Sequence, residues 1–437
     1  MSFCEYTTAG FEQEGIKKMI SNSKIIRICT ALALFTTSFD IVGIVNVGGL
    51  NFRFCQFIFF PVIIFWLMHL ISSKRFLAPR DFSYLLIWIA LQFVFCFRSP
   101  NLKNALGYFI WLIFDVVVVF STCCFCGKYY SVDWLIKTYL YSFVVGAIIG
   151  LMQFALYVVG IDFFVAQNWG NRWARINGFS YEPSYYATYM LMGFVIFAYL
   201  FEKKDETILK EKQVNVALFL IGTSIVLSSS RMGWLMTVVY ILYRILSAIN
   251  RKIIIGGYIK KKTFTIFWSI VIFLLTVAIL MSRKIDFSIF LSGLGINGSA
   301  AHSSGPRLEG IDTCIKLFKK SPIFGYSLGG VDPMIAQYRG IKYSTLNNGA
   351  AMSIIGEILV ANGILGMIPL VLYFVKILLV KAKSNNIAEA LKLALLFEIM
   401  ILCFSQNILR PYVWWHIAIY IAIINYKEKM NKIQVLG

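Results

Sequence analysis

Charge is scarce in this chain. Asp, Glu, Lys and Arg make up 14% of its 437 residues, where a soluble domain carries about a quarter. That deficit excludes an ordinary soluble fold of this size. Histidine occurs three times, as His69, His302 and His416, so no clustered histidine metal site can form from histidine alone. There is no Gly-Lys-Ser/Thr phosphate loop and no His-Glu-x-x-His pair, which removes the P-loop and zincin classes. An Asp-x-Asp pair, which a metal-dependent nucleotide-sugar transferase would want, is also missing. Neither metal nor cofactor is expected. The nine cysteines form no framework: seven lie in or beside apolar runs, Cys4 is near the N-terminus, and Cys314 stands alone in a polar loop. Cysteine in lipid is simply a small apolar side chain, so Cys123-Cys124-Phe-Cys126 reads as packing and no disulfide is expected.

What the chain has instead is hydrophobicity: 59% of residues and a mean hydropathy of +0.74. Twelve apolar runs, centred near residues 35, 62, 89, 115, 148, 192, 221, 240, 273, 366, 396 and 419, are each long enough to span a bilayer. Spanning segments must be helical, because hydrocarbon offers the backbone no other hydrogen-bond partner. The expected fold class is therefore all-α: one polytopic transmembrane domain over 1–437, with about twelve helices and one large periplasmic loop over 283–350. The first run, near Ile25 to Val45, lacks a small-residue cleavage site and is expected to remain as the first helix.

The formal net charge of +20 suggests nucleic acid, but its distribution does not. Basic residues gather at the ends of apolar runs. With the N-terminus in the cytoplasm, five inner loops hold fifteen Lys and Arg against seven in five short outer loops, as the positive-inside rule requires. Both tails are then cytoplasmic, and the expected location is the bacterial inner membrane.

Against this background the outer side holds an unusual set of charges. Arg172, Arg175 and Glu182 share one loop, Arg231 sits at the tight Ser228-Ser229-Ser230 corner, His302, Arg307 and Glu309 lie in the large loop, and Arg410 follows the eleventh run. Ionisable groups at a membrane boundary are costly unless paired or lining a cavity. Arginine suits phosphate because its planar fork is always charged and bonds in pairs. Several arginines at the outer mouth would hold a lipid diphosphate and stabilise its leaving charge. Glu182 would act as general base on a sugar hydroxyl.

Each of these groups also has a plain structural reading. Ser180 is a fair N-cap, Pro183 suits a first helical turn, and acid at Glu182 meets the helix dipole. Arg231 reads as an interfacial anchor, Arg307 as a solvated helix start, Arg410 as a snorkelling side chain, and Arg172 with Trp173 as surface anchors. Tyr185 and Tyr186 read as part of an aromatic belt. In the large loop an amphipathic helix is expected over Arg307 to Lys320, with Leu308, Ile311, Ile315 and Phe318 on its apolar face and Pro322 stopping it.

Three segments resemble the bacterial O-antigen polymerase and O-antigen ligase superfamily. They are Arg175-Ile-Asn-Gly178 through Glu182-Pro-Ser184 and Ala187, then Ser229-Ser230-Arg231-Met-Gly233, and then Arg307 with Ser321-Pro-Ile-Phe-Gly325-Tyr-Ser-Leu-Gly329, Asn348, Glu357 and Asn362-Gly-Ile-Leu-Gly366. The resemblance implies a metal-independent membrane glycosyltransferase working on undecaprenyl-diphosphate-linked glycans, with a polysaccharide chain-length regulator as a further partner. With the charges at the outer mouth, Glu182 and Arg307 are expected to be catalytic, and Arg172, Arg175, Arg231, Tyr185, Asn348 and Arg410 to bind substrate. Ligases of the superfamily usually carry His-Asn near the end of the large loop. Here the stretch reads Thr345-Leu-Asn347-Asn348-Gly349, which favours polymerase. The alternatives are the ligase itself, which transfers glycan to lipid A-core, a transporter or flippase of lipid-linked sugars, and a structural scaffold.

Overall fold

The computed structural model describes residues 23–47, 50–73, 78–169, 173–254, 301–343, 353–380, 385–403 and 408–436. The apolar run expected near 273 lies outside the described residues, as does most of the loop before residue 301. Thirteen helices are described. They are α1 (23–35), α2 (Phe54–Ser72), α3 (Phe82–Cys96), α4 (Leu102–Phe125), α5 (Val132–Val158), α6 (Pro183–Lys203), α7 (Glu211–Leu227), α8 (Arg231–Ile254), α9 (Ala301–Lys320), α10 (Val331–Arg339), α11 (Ile354–Leu378), α12 (Asn386–Leu402) and α13 (Pro411–Leu436). Strand structure among the described residues is confined to two hairpins, β1 (Val45–Val47) with β2 (Leu50–Phe52) and β3 (Gln167–Trp169) with β4 (Trp173–Arg175), and one isolated bridge.

Among the described residues five helices are long and apolar enough to cross a membrane: α2, α4, α5, α6 and α11, of 19 to 27 residues. At about 1.5 Å per residue these reach or nearly reach the ~30 Å of a hydrocarbon core. The protein is an all-helical membrane protein. Large apolar side chains on α2, among them Phe57, Phe60, Met68 and Ile71, point out of the bundle, as a lipid-facing surface demands.

The interior is built around α6 and α13. From Tyr186 to Phe197 nearly every side chain of α6 is buried, and α13 is buried all round from Tyr412 to Ile424; a helix apolar on every face belongs inside. Helix α6 packs on α12, α7 and α8, α13 on α4, and α3 on α11. Small residues let the backbones approach. A Cβ at Gly193 would stand 2.6 Å from the Phe143 ring, and one at Gly233 would stand 2.8 Å from the Cβ of Ala187.

Helix ends alternate between the two ends of the bundle, and long-range contacts fix which loops meet. At one end Asp40 N–H donates to Phe179 O, Arg98 to Gly325 O, and Ser353 Oγ to Cys403 O. At the other, Arg27 reaches Tyr129 O, Lys128 reaches His69, and Asn386 reaches Asp205. The first end carries Arg175, Glu182, Tyr185, Arg231 and Arg410.

The large-loop helix is longer than expected: α9 starts at Ala301 and ends at Lys320, two residues before Pro322. Its buried stripe is Gly310, Thr313, Cys314 and Leu317, while Ile315 is exposed and Ile311 and Phe318 are only half-buried. The expected apolar face is therefore displaced by a fraction of a turn. Small side chains win the buried positions because α9 lies close on α11.

Helix α11 is broken. Gly363 has φ 55° and ψ −170° inside it, and the extended stretch 322–327 runs alongside the break. Tyr326 N–H bonds Val360 O and Ser327 N–H bonds Ala361 O, while Ile364 N–H bonds Pro322 O and Leu365 N–H bonds Ile323 O. The freed backbone groups of a membrane helix are thus satisfied by protein, as they must be. Asn362 Oδ1 accepts from Trp88 Nε1 at 2.5 Å and Gln92 Nε2 at 2.7 Å, which anchors the break to α3.

Candidate functional site

The loop between α5 and α6 carries the first group of candidates, and one buried side chain organises it. Gln153, in the penultimate turn of α5, accepts from the N–H groups of Asn177 (2.9 Å) and Gly178 (3.1 Å). Its amide donates to Phe163 O, Phe164 O and Gly178 O. Asn177 closes a second ring, donating to Ser180 O and accepting from Ala166 N–H. Gly178 has φ 55° and lies over the Tyr186 ring, a conformation in which a side chain is strained. The β3–β4 hairpin pairs Gln167 with Arg175.

The helix that follows starts at Pro183, as the sequence suggests, but Ser180 does not cap it. Glu182 is the N-cap residue and makes no capping bond. The hydroxyl of Ser180 instead donates to Ser38 O at 2.8 Å, because the first outer loop packs directly against residues 179–181. Glu182 accepts from Ser184 Oγ at 3.0 Å and is partly exposed at the head of α6.

Arg175 projects from the end of β4, half-buried. One Nη donates to Gln167 Oε1 at 2.6 Å and the other to Ser229 O at 3.2 Å. Ser229, at φ 51° in the corner between α7 and α8, therefore presents its carbonyl to the α5–α6 loop. Ile176 N–H to Leu227 O reinforces the same junction. Burial holds the Arg175 guanidinium below its usual pKa. Arg231, beside it, acts in the same direction, and Glu182 opposes them. Two arginines and one carboxylate from two distant sequence segments thus meet at one end of the bundle.

A second group adjoins the first. Arg410 Nη1 lies 2.8 Å from Asp40 Oδ2, with both side chains almost fully buried, and Arg53 Nε lies 2.9 Å from Asp40 Oδ1. The Arg410 guanidinium stacks 3.7 Å from the centre of the Tyr185 ring, in cation–π contact. Burial works against the charge on Arg410. Asp40 outweighs it and holds the guanidinium pKa above its usual value, with Tyr185 and Tyr412 adding to the effect. Tyr185 is thus half of a stack with an arginine. Tyr186 is buried inside the bundle with its hydroxyl on Gly146 O. Neither forms the aromatic belt that their spacing suggests.

Sequence reasoning missed Asp40, Arg53 and Gln153. Asp40 did carry a signal: an acid at the end of the first apolar run needs a partner. Gln153 carried a weaker one, as a lone amide within an apolar helix. Of the remaining candidates, Arg307 falls on α9, and Arg172 and Asn348 lie outside the described residues. Among the described residues no group of three or more His, Cys, Asp or Glu is placed to hold a metal ion.

The geometry also explains why separate sequence segments share a pattern. A Cβ at Gly325 would collide with the backbone of Ala361, and one at Gly363 would stand 2.5 Å from Ile323 O. The Pro322–Gly329 stretch and the Asn362–Gly366 stretch are two sides of one close backbone contact. Ala187 and Gly233 are likewise two sides of the α6–α8 contact.

No curated protein and no solved structure matches the chain. The family model described as O-Antigen ligase matches residues 216–371, from α7 through most of α11. That span contains the Ser229–Gly233 corner, Arg307, the Pro322–Gly329 stretch and the break at Gly363. Over this region, about a third of the chain, the protein is similar to the O-antigen ligase family.

Proposed function

We propose that the protein is a polymerase that joins undecaprenyl-diphosphate-linked oligosaccharide repeat units on the periplasmic face of the inner membrane. The observation that carries this reading is the junction at one end of the bundle where Arg175 bonds the carbonyl of Ser229, two residues before Arg231, with the charge of Glu182 acting on the same guanidinium. Two fixed guanidinium groups suit the diphosphate of a lipid carrier. A carboxylate beside them suits a sugar hydroxyl that must lose a proton. In this mechanism Arg175 and Arg231, with Arg307 from the large loop, hold the diphosphate of the donor. Glu182 orients or deprotonates the acceptor hydroxyl. That hydroxyl oxygen attacks the anomeric carbon, the bond from that carbon to the diphosphate oxygen breaks, and undecaprenyl diphosphate leaves with the electron pair. Asn347-Asn348, where ligases of the superfamily usually carry histidine, supports polymerase over ligase.

A strain lacking the gene tests the reading. A single repeat unit on the lipid A-core in place of a ladder is the expected outcome. Bare core with long lipid-linked chain accumulating would overturn it in favour of a ligase. Loss of the ladder and of the single-unit product alike, with lipid-linked repeat units trapped on the cytoplasmic face, would favour a transporter.

A further inference from the structure

Asp40 is a buried carboxylate with three hydrogen-bonded partners at this end of the molecule, and neither the sequence motifs nor the family match covers it. It stands in the loop after α1, yet every partner it has belongs to a distant part of the chain. One carboxylate oxygen takes Arg53 Nε at 2.9 Å, and the other takes Arg410 Nη1 at 2.8 Å and the Tyr181 N–H at 3.3 Å. Its own N–H donates to Phe179 O at 2.8 Å, with Ile41 N–H on the same carbonyl. Phe39 packs edge-on against Phe179 at 4.8 Å, and Ser180 Oγ bonds Ser38 O. Residues 38–41 are thus zipped to 179–181, immediately before Glu182.

Arg410 extends the chain of contacts. Only 7% of its side chain is exposed, so its guanidinium is committed inside the protein: one edge to Asp40 and one face to the Tyr185 ring. Tyr185 lies in the first turn of α6, and its N–H bonds the carbonyl of Glu182. Arg53 is tied from the other side, with Nη1 on Leu409 O at 3.3 Å. One carboxylate therefore fixes the entry to α6 twice, through Tyr181 on one side of Glu182 and through Arg410 and Tyr185 on the other.

We infer that Asp40 is the positioning residue of this site: through Arg410, Tyr185 and the Tyr181 backbone it sets the placement of Glu182 and the loop that bears Arg175. The inference rests on the proposed function and deepens it. Arg410 acts here as a strut, and Asp40 never touches the glycan. A buried ion pair is a weak source of stability but a strong source of geometry, since removing one partner strands the other's charge. Misplacing a reacting group by about 1 Å costs on the order of a hundredfold in rate. The loss should therefore fall on turnover and spare binding.

The test uses full-length protein in proteoliposomes supplied with lipid-linked repeat units, reading kcat and KM for chain elongation. D40N is nearly isosteric and keeps hydrogen-bonding capacity while removing the charge. It is expected to lower kcat about tenfold to a hundredfold with KM within about threefold. Y185L removes the ring that Arg410 stacks on and should repeat the D40N pattern. Combining D40N with Y185L should add little, because both cut the same route. Wild-type kcat in D40N overturns the inference, as does a loss confined to KM. Should D40N give no monodisperse protein, Y185L decides: normal turnover there overturns the route through Arg410. No elongation by the wild-type protein would sink the polymerase reading itself, and is thereby distinguished from failure of this inference.

Discussion

At the scale of single residues, Arg175 shows why arginine is the residue used. Its two Nη groups serve Gln167 and Ser229 at once, and burial together with Arg231 disfavours its charge. Arginine tolerates this because its ordinary pKa is above about 12. Lysine, at about 10.4 in water, would not: the same burial and the same neighbouring cation would pull it down. Its charged form would be present at low pH and lost as pH rises through the depressed value. R175K is therefore expected to retain partial activity at pH 6–7 and to lose it towards pH 9, where the wild-type protein shows no such fall from this group. Elongation rates across that range check it, and a parallel profile for both proteins would show that Arg175 needs only its position. Glu182 makes a separate prediction. E182Q keeps an oxygen for Ser184 Oγ but cannot take a proton. Elongation should fall about 10²-fold or more with membrane insertion unchanged, and near-normal polymer from E182Q would leave Glu182 with an orienting role at most.

At the scale of elements, the break in α11 carries the most weight. The sequence shows an apolar run with glycines at 363 and 366, and hydropathy alone reads it as one continuous span. What makes it two half-helices is a segment forty residues earlier, whose backbone occupies the freed carbonyl and amide positions of residues 360–365. Such pairing is invisible to periodicity, which sees one helix at a time. The tight corner between α7 and α8, by contrast, was readable from three serines and an arginine between two apolar runs. G363A tests the break directly. An added Cβ meets Ile323 O at 2.5 Å, and the backbone there has φ 55°. The two effects together should destabilise the protein by about 2–4 kcal/mol. The thermal midpoint in detergent should drop by several degrees, with loss of elongation following loss of folded protein. Gly222, whose added Cβ would sit 3.6 Å from Phe194, is the control position, where alanine should leave the midpoint within about a degree.

At the scale of the whole molecule, the decisive property is that, among the described residues, the charged side chains with long-range partners at one end, Asp40, Arg53, Arg98, Arg175 and Arg410, come from four loops spread over the chain. Asp40 and Arg410 are 370 residues apart. Nothing in either neighbourhood announces the other, so the ion pair was beyond sequence reading even though Arg410 stood out as a charge at the membrane boundary. The alternation of helix ends was legible, because hydropathy marks spans and basic residues mark one set of loops. The structure keeps that alternation through α8, which starts beside Arg175 at Arg231 and finishes at the opposite end with Ile254. Helix α9 and the stretch 321–327 are then found back at the first end, held by Arg98 through Ser321 Oγ and Gly325 O. Residues 254 and 321 are accordingly predicted to lie on opposite sides of the membrane. Paired reporter fusions test this: alkaline phosphatase, active only outside the cytoplasm, and a fluorescent protein that matures only within it. Fusions after residues 205 and 252 should fluoresce and lack phosphatase activity. Fusions after residues 167 and 338 should do the reverse. Because Arg175 and Arg231 share their end with Arg98 and Gly325, a phosphatase-silent fusion at 338 would place the arginines in the cytoplasm. A periplasmic polymerisation could not then use them.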